Sequence, residues 1–207
     1  MMPEELTSDN PQRSGADILL SLVEEAREGD REAFDKIVEL FQDKVFRMVY
    51  YRTGSRMDSE DLLQDIFLQA YNSLPKLKEH DKFEPWLFRI TLNRIRDFYR
   101  KKRVLRFLGI SGEDVTDNRI NTEKDDAPGA LDHVLRKEFW GQVRRFSQKF
   151  SRREREVFYL RFLDHLSIKE IAAVLGKSES AIKTHLYRSL NKFKGDKELQ
   201  TFLEGET

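Results

Sequence analysis

From residue 17 to 103, and again from about 131 to 193, apolar side chains return every three or four positions, and strict strand-like alternation is missing throughout. A chain with that period has to fold as packed helices. Ile18, Leu19, Leu22, Val23 and Ala26 form one stripe, closed by Gly29; a longer one runs from Ala33 to Tyr50, opened near Asp30 as N-cap and closed near Gly54. Asp58 or Ser59 can cap a third helix that Pro75 stops, and Pro85 suits the first turn of a fourth that ends near Arg103. In the second periodic stretch, Val134, Leu135, Phe139, Val143 and Phe146 mark one helix. Ser151 with Glu154 and Ser167 with Glu170 then have the spacing of capping boxes, and Gly176 and Ser178 separate the last two helices.

Between these stretches the period fails. Residues 104–132 hold Gly109, Gly112, Pro128, Gly129 and a run of Asp, Asn and Ser, and so long a stretch without helical pattern separates two units better than it joins elements of one. The expected fold is all-α: a tail at 1–17, a helical domain at 18–103, an acidic flexible linker at 104–132, a second helical domain at 133–194 carrying a helix-turn-helix, and a C-terminal tail at 195–207.

The net charge of zero conceals a strong segregation. Residues 1–103 carry 18 basic and 20 acidic side chains, the linker 3 and 7, and residues 133–207 carry 16 and 10. A basic second unit suits a polyanion, whose counterions it would release. There are no cysteines, which excludes disulfides and thiol chemistry and fits a reducing compartment. The N-terminus lacks the basic start and apolar core of a signal peptide, and runs such as Ile18-Leu19-Leu20 are far too short to cross a bilayer. We expect a cytoplasmic protein without membrane insertion. There is no Gly-rich phosphate loop, no HExxH and no nucleophile elbow, and the four histidines are scattered, so no catalytic residue, cofactor, metal or small-molecule substrate is expected.

Three constellations remain. In residues 167–193, a short helix, a tight turn at Gly176-Lys177-Ser178 and a longer helix have helix-turn-helix spacing. On a helical wheel Ile182, Leu186, Leu190 and Phe193 face the preceding helices, which leaves Ser180, Thr184, Tyr187, Arg188 and Asn191 outward, with Lys183 on one flank and His185 and Lys192 on the other; Ser178 at the helix start suits a phosphate. An ordinary solvated face would share this pattern. The second is Trp86–Arg106, with eight basic residues against Asp97 alone. Leu87, Ile90, Ile95, Phe98 and Trp86 are more simply core; Asn93, Arg96 and Arg100 line one strip beside them, with Phe83, Trp86 and Phe88 at its start, so that it can hold phosphates and accept an unstacked base, while a basic helix end favoured by the helix dipole explains Lys101–Arg103 as simply. In the third, Asp61–Tyr71, the buried face leaves Asp61, Gln64, Asp65 and Leu68 outside. A leucine among acids and amides suggests a protein contact, although lone exposed leucines are common.

Together, DREAFDKIVELFQDKVFRMVYYRTG (30–54), SEDLLQDIFLQAY (59–71), FEPWLFRITLNRIRDFYRKKR (83–103) and SIKEIAAVLGKSESAIKTHLYRSLNKF (167–193) resemble, in order and spacing, the extracytoplasmic-function group of bacterial sigma-70 factors. The resemblance implies a non-enzymatic factor that binds core RNA polymerase and directs initiation at specific promoters. Its second unit would read the duplex −35 element through Ser178, Ser180, Lys183, Thr184, Tyr187, Arg188 and Asn191. Its first would capture single-stranded −10 DNA through the loop with Lys76, Lys82 and Phe83 and through Asn93, Arg96, Arg100 and Lys101. Asp61, Gln64, Asp65 and Leu68 would grip the polymerase, and the acidic linker would lie in the path of emerging RNA. An anti-sigma factor is a further implied partner. The chain departs from the family pattern where Ser180-Ala181-Ile182 replaces the frequent Gly-Thr-Val, and where Lys183 replaces a frequent arginine; lysine lacks the planar fork that arginine offers guanine. The residues alone also allow a stand-alone helix-turn-helix regulator with an N-terminal regulatory or dimerisation domain, or a helical adaptor with no nucleic-acid role.

Overall fold

The computed structural model describes residues 15–108, 143 and 145–195. They form seven helices of eight residues or more and no strand: α1 Gly15–Arg27, α2 Arg31–Thr53, α3 Arg56–Ser73, α4 Phe83–Phe107, α5 Arg152–Phe162, α6 Ile168–Leu175 and α7 Glu179–Lys194. Short 3₁₀ turns at Leu74–Lys76 and His80–Lys82 join α3 to α4. The helix expected over 134–146 lies largely outside the described residues, but 145–147 are helical and Phe146 is buried. Helix α1 begins three residues inside the segment read as a tail. Helix α4 runs past Arg103 to Phe107, because nothing between Val104 and Phe107 breaks a helix and Gly109 comes only afterwards.

The ends are set by local chemistry. The Asp30 carboxylate accepts from the amides of Glu32 and Ala33 and starts α2. Gly54, at φ 70°, takes the left-handed conformation that ends α2. That turn is so tight that the cap of α3 falls on Ser55, not on Asp58 or Ser59: the Ser55 Oγ accepts from the Asp58 amide at 3.2 Å. Ser59 is instead buried within α3, its hydroxyl donating to the Ser55 carbonyl at 2.5 Å. Both expected capping boxes are present, Ser151 with Glu154 and Ser167 with Glu170.

In the first unit α2 packs on α1, α3 and α4, over a core that includes Val23, Ile37, Val45, Met48, Ile66, Leu74, Phe83, Leu87 and Phe88. In the second, α5, α6 and α7 pack on one another around Leu160, Ile171, Val174 and Ile182. Each fully buried side chain of this kind contributes about 1.5–3 kcal/mol relative to exposure.

The two units are docked, with α4 against α6, and their apolar residues form one continuous buried cluster. Two separately packed bodies were the expectation. Leu175 and Ile168 are only partly buried but add to the same cluster, so the face that completes the helix-turn-helix core also meets the first unit. A smaller aromatic cluster of Phe146, Phe150, Phe158 and Tyr159 lies in the second unit. Among the described residues no helix is long and apolar enough to cross a membrane.

Candidate nucleic-acid interface

The helix-turn-helix is built by its caps. The Ser167 hydroxyl and Glu170 carboxylate fix the start of α6, and Gly176, at φ 61°, ends it in the left-handed conformation that lets the chain turn within two residues into α7. The Ser178 Oγ then accepts from the Ala181 amide at 3.3 Å. Ile182 is completely buried and fixes the rotation of α7 about its axis. Ser178, Ser180, Lys183, Thr184, Tyr187, Arg188 and Asn191 are consequently all exposed. Tyr187, 67% exposed, is a large aromatic residue left in solvent on a polar face. Lys192, on the flank of this face, is held inward by the Glu154 carboxylate at 2.7 Å and the Lys149 carbonyl at 3.2 Å, which leaves the outward residues unobstructed.

The Lys192 ion pair, then the Ser151 amide, hold the Glu154 carboxyl below the usual carboxylate range, and the Ser167 hydroxyl, then the Ser167 amide, do the same for Glu170. Lys44 of the first unit adds a favourable field at Glu170. Because both folded-state pKa values are lowered, these acids contribute stability that is fully present above their unfolded pKa of about 4.3 and is lost as pH falls through the folded value. Glu154→Gln is expected to cost about 1 kcal/mol near neutral pH and to flatten the acid limb of a melting profile taken from pH 7 to 3; an unchanged limb would disprove the assignment.

The basic strip on α4 is more heavily engaged than its sequence suggests. Asn93 is exposed, and its Oδ1 accepts from Arg96 at 2.9 Å. Arg96 also reaches Glu156 of α5 at 2.5 Å. Arg100 pairs with Asp97 at 3.1 Å, and Lys102 with Asp58 at 2.9 Å over the Phe98 ring. Lys101 is exposed. In the preceding loop Lys76 is exposed, and Lys82 bonds Glu79, which raises its pKa and keeps it cationic. His80 anchors this loop to α1 by bonding Glu24 at 3.0 Å and Arg27 at 2.6 Å.

Phe83 has to leave the set. It is 1% exposed and packs edge-on against Phe41, so its ring cannot stack on a base. Phe88 is equally buried, and Trp86 packs partly buried against the same core. These aromatics belong to the core of the first unit. The reason is positional: Phe83 opens α4 one turn before Leu87, on the stripe that meets α2.

On α3 the wheel is reproduced. Leu62, Ile66, Phe67 and Ala70 are buried and Leu63, expected with them, is half-buried against the core, while Asp61, Gln64, Asp65 and Leu68 are exposed, Leu68 by 61%. The residues that join the two units had no such periodic signal. Arg52 pairs with Asp164 at 2.6 Å and lies over the Tyr159 ring, and Arg89 donates to the carbonyls of Ala173 at 2.7 Å and Val174 at 3.2 Å.

Two family models match: Sigma-70 region 2 over residues 37–104 and Sigma-70 region 4 over residues 141–193. The chain is 32% identical over 173 residues to the ECF RNA polymerase sigma factor BldN of Streptomyces coelicolor, a match covering 83% of this chain and 63% of that one. It is 29% identical over 170 residues to the ECF RNA polymerase sigma factor SigW of Bacillus subtilis, covering 80% and 89%. It is 30% identical over 169 residues to the RNA polymerase sigma factor CnrH of Cupriavidus metallidurans, covering 81% and 88%. Among solved structures, CnrH in complex with the cytosolic domain of CnrY superposes with a TM-score of 0.64 at 24% identity, covering 92% of this chain and all of that one. RpoE in complex with the anti-sigma factor NepR from Bartonella quintana gives 0.55 at 20% identity, covering 83% and 96%.

Proposed function

The chain belongs to the extracytoplasmic-function group of the sigma-70 family, alternative sigma factors that direct promoter-specific transcription, and we propose which of its surfaces do this work. The observation that carries the reading is the pairing, in one chain, of a recognition helix whose outward residues are exposed with another unit that matches region 2. A stand-alone helix-turn-helix regulator does not require that second match, and an adaptor without nucleic-acid contacts requires neither.

In the proposed division of labour, α7 enters the major groove of the −35 element with Lys183, Thr184, Tyr187 and Arg188 toward base edges. Ser178, Ser180 and Asn191 lie toward the backbone. The loop bearing Lys76 and Lys82, together with Asn93, Arg96, Arg100 and Lys101, holds the separated −10 strand, where cations follow the phosphates and Asn93 supplies a donor and an acceptor to an unpaired base. The energy for opening then comes from binding unstacked bases and from polymerase contacts. No covalent step is involved, the chain acts as a non-enzymatic factor, and it works in the bacterial cytoplasm. An anti-sigma factor belongs to the same proposal, as NepR does for RpoE. The deciding experiment is runoff transcription from a linear promoter template with core polymerase and this chain as the sole added factor; duplex binding indifferent to polymerase would favour the stand-alone regulator.

Asp61, Gln64, Asp65 and Leu68 form the proposed polymerase surface. Leu68→Ala and Asp65→Ala are each expected to weaken core binding by about 1–2 kcal/mol, roughly five- to thirtyfold, without changing the melting temperature, because both side chains stand in solvent. Equal retention of variant and wild type in a quantitative core pull-down would reject this surface.

A further inference from the structure

The loop between α3 and α4 begins and ends in core residues, Leu74 and Phe83, both buried. Between them, Leu77 packs partly buried on the same core and the His80 side chain is only 18% exposed, while Pro75, Lys76, Lys78, Glu79, Asp81 and Lys82 all stand in solvent. A single leucine packs without direction, so the orientation of the middle of the loop falls to His80. Its 3₁₀ turn is closed by the Lys82 amide, which donates to the Glu79 carbonyl at 3.1 Å. Whatever fixes His80 therefore fixes Glu79 and Asp81 on either side of it.

What fixes His80 is α1. Arg27 Nη1 lies 2.6 Å from the ring Nε2, and Glu24 Oε1 lies 3.0 Å from Nδ1. A guanidinium carries donors only and a carboxylate acceptors only. The ring consequently accepts at Nε2 and donates from Nδ1, which is the neutral tautomer with both nitrogens bonded. Glu24 and Arg27 stand three apart on one side of α1, and Val23 and Ala26, which precede them, are buried and seat the helix on the core. Helix α1 lies ahead of residues 37–104, the stretch that matches Sigma-70 region 2, and no contact with DNA or polymerase has been assigned to it.

We infer that α1 sets the −10 loop: His80, clasped between Glu24 and Arg27, is a positioning residue that holds residues 78–81 where the loop meets an unpaired base of the separated strand. This rests on the functional reading of the loop and adds what orients it. A loop already held in its bound place need not be ordered when the strand arrives, so the clasp raises affinity without itself touching DNA. Bonds between partly exposed groups add little net stability, because water takes the place of a lost partner. Their directions are nonetheless strict, and loss of the clasp accordingly impairs strand capture more than folding.

The test titrates holoenzyme with a single-stranded −10 oligonucleotide and, separately, with −35 duplex, both taken from a promoter that supports runoff transcription. His80→Ala is expected to weaken capture of the single strand about tenfold and to flatten discrimination among the four bases at the unpaired position. Duplex −35 binding and core retention should stay at wild-type values, with a melting temperature within about 3 °C. Glu24→Arg alone sets two guanidinium donors against a neutral ring with one acceptor and should reproduce the loss. Adding Arg27→Glu should restore capture to within about threefold of wild type, because the neutral ring can carry its proton on Nε2 and bond the reversed pair. Should His80→Ala fail to fold, as judged by helicity, this reversal on α1 decides alone. Strand capture by His80→Ala equal to wild type, an equal loss on the −35 duplex, or a reversed pair no better than Glu24→Arg overturns the inference. A wild-type holoenzyme that does not hold the single strand would sink the functional reading, and the role of His80 with it.

Discussion

Replacing Ile182 with alanine will lower folding stability by about 2–5 kcal/mol and the melting temperature by about 5–15 °C. Ile182 is fully buried and lies in the cluster that joins α5, α6 and α7 to the first unit. The loss combines the transfer energy of the removed carbons with a cavity that helices fixed by capping boxes and Gly176 collapse into poorly. Function should fall further than stability does. Ile182 sets the rotation of α7, so at a temperature where the variant is still folded, duplex −35 affinity should drop while core binding through α3 is preserved. Thermal denaturation followed by circular dichroism, with duplex binding measured below the transition, checks both parts; a melting temperature within 2 °C of wild type would contradict the packing described here.

The features legible in the sequence were those that depend on near neighbours. A helix-capping box needs two residues three apart, and both boxes are where Ser151, Glu154, Ser167 and Glu170 placed them. The outward leucine on α3 followed from a wheel, as did the outward face of α7, because one apolar stripe per helix leaves little freedom of rotation. Where several local choices competed, the reading slipped. Ser55, Asp58 and Ser59 are all good caps, and only the tightness of the turn at Gly54 selects the first. Phe83 was ambiguous for a related reason: an aromatic residue at the start of a basic helix can serve a base or a core, and edge-on packing against Phe41 decides for the core.

The docking of the two units left no such trace. Arg52 and Asp164 are 112 positions apart and Arg96 and Glu156 are 60 apart, and each is one charge among many in a chain with 37 of either sign. Periodicity reports that a face is apolar without saying which partner covers it. The short helix α6 packs on α7 within the helix-turn-helix, yet it packs on α4 as well. An arginine donating to backbone carbonyls, as Arg89 does, depends on an acceptor that every residue possesses, so no residue type could have announced it.

Arg188→Ala is expected to weaken binding to a cognate −35 duplex by about 1–3 kcal/mol, roughly five- to 150-fold, and to blur discrimination at one or two base pairs. Arg188 stands exposed on the outward face of α7 one helical turn after Thr184 and beside Tyr187, with Ile182 and the partly buried Leu186 fixing that face from behind. An arginine so placed presents a planar fork that can bond two acceptors of a guanine edge, and its removal leaves those acceptors unmet in a groove from which water has been displaced. Lys183→Ala provides the contrast. Lys183 meets a base edge with a single ammonium in place of a planar fork, so its loss should cost less base discrimination than that of Arg188 while reducing the salt slope of log affinity by about one. Titrating both variants in the holoenzyme against matched and single-mismatch duplexes at several salt concentrations separates the two roles. If Arg188→Ala weakened every sequence equally, the residue would be a phosphate contact and base reading would have to pass to Thr184 and Tyr187.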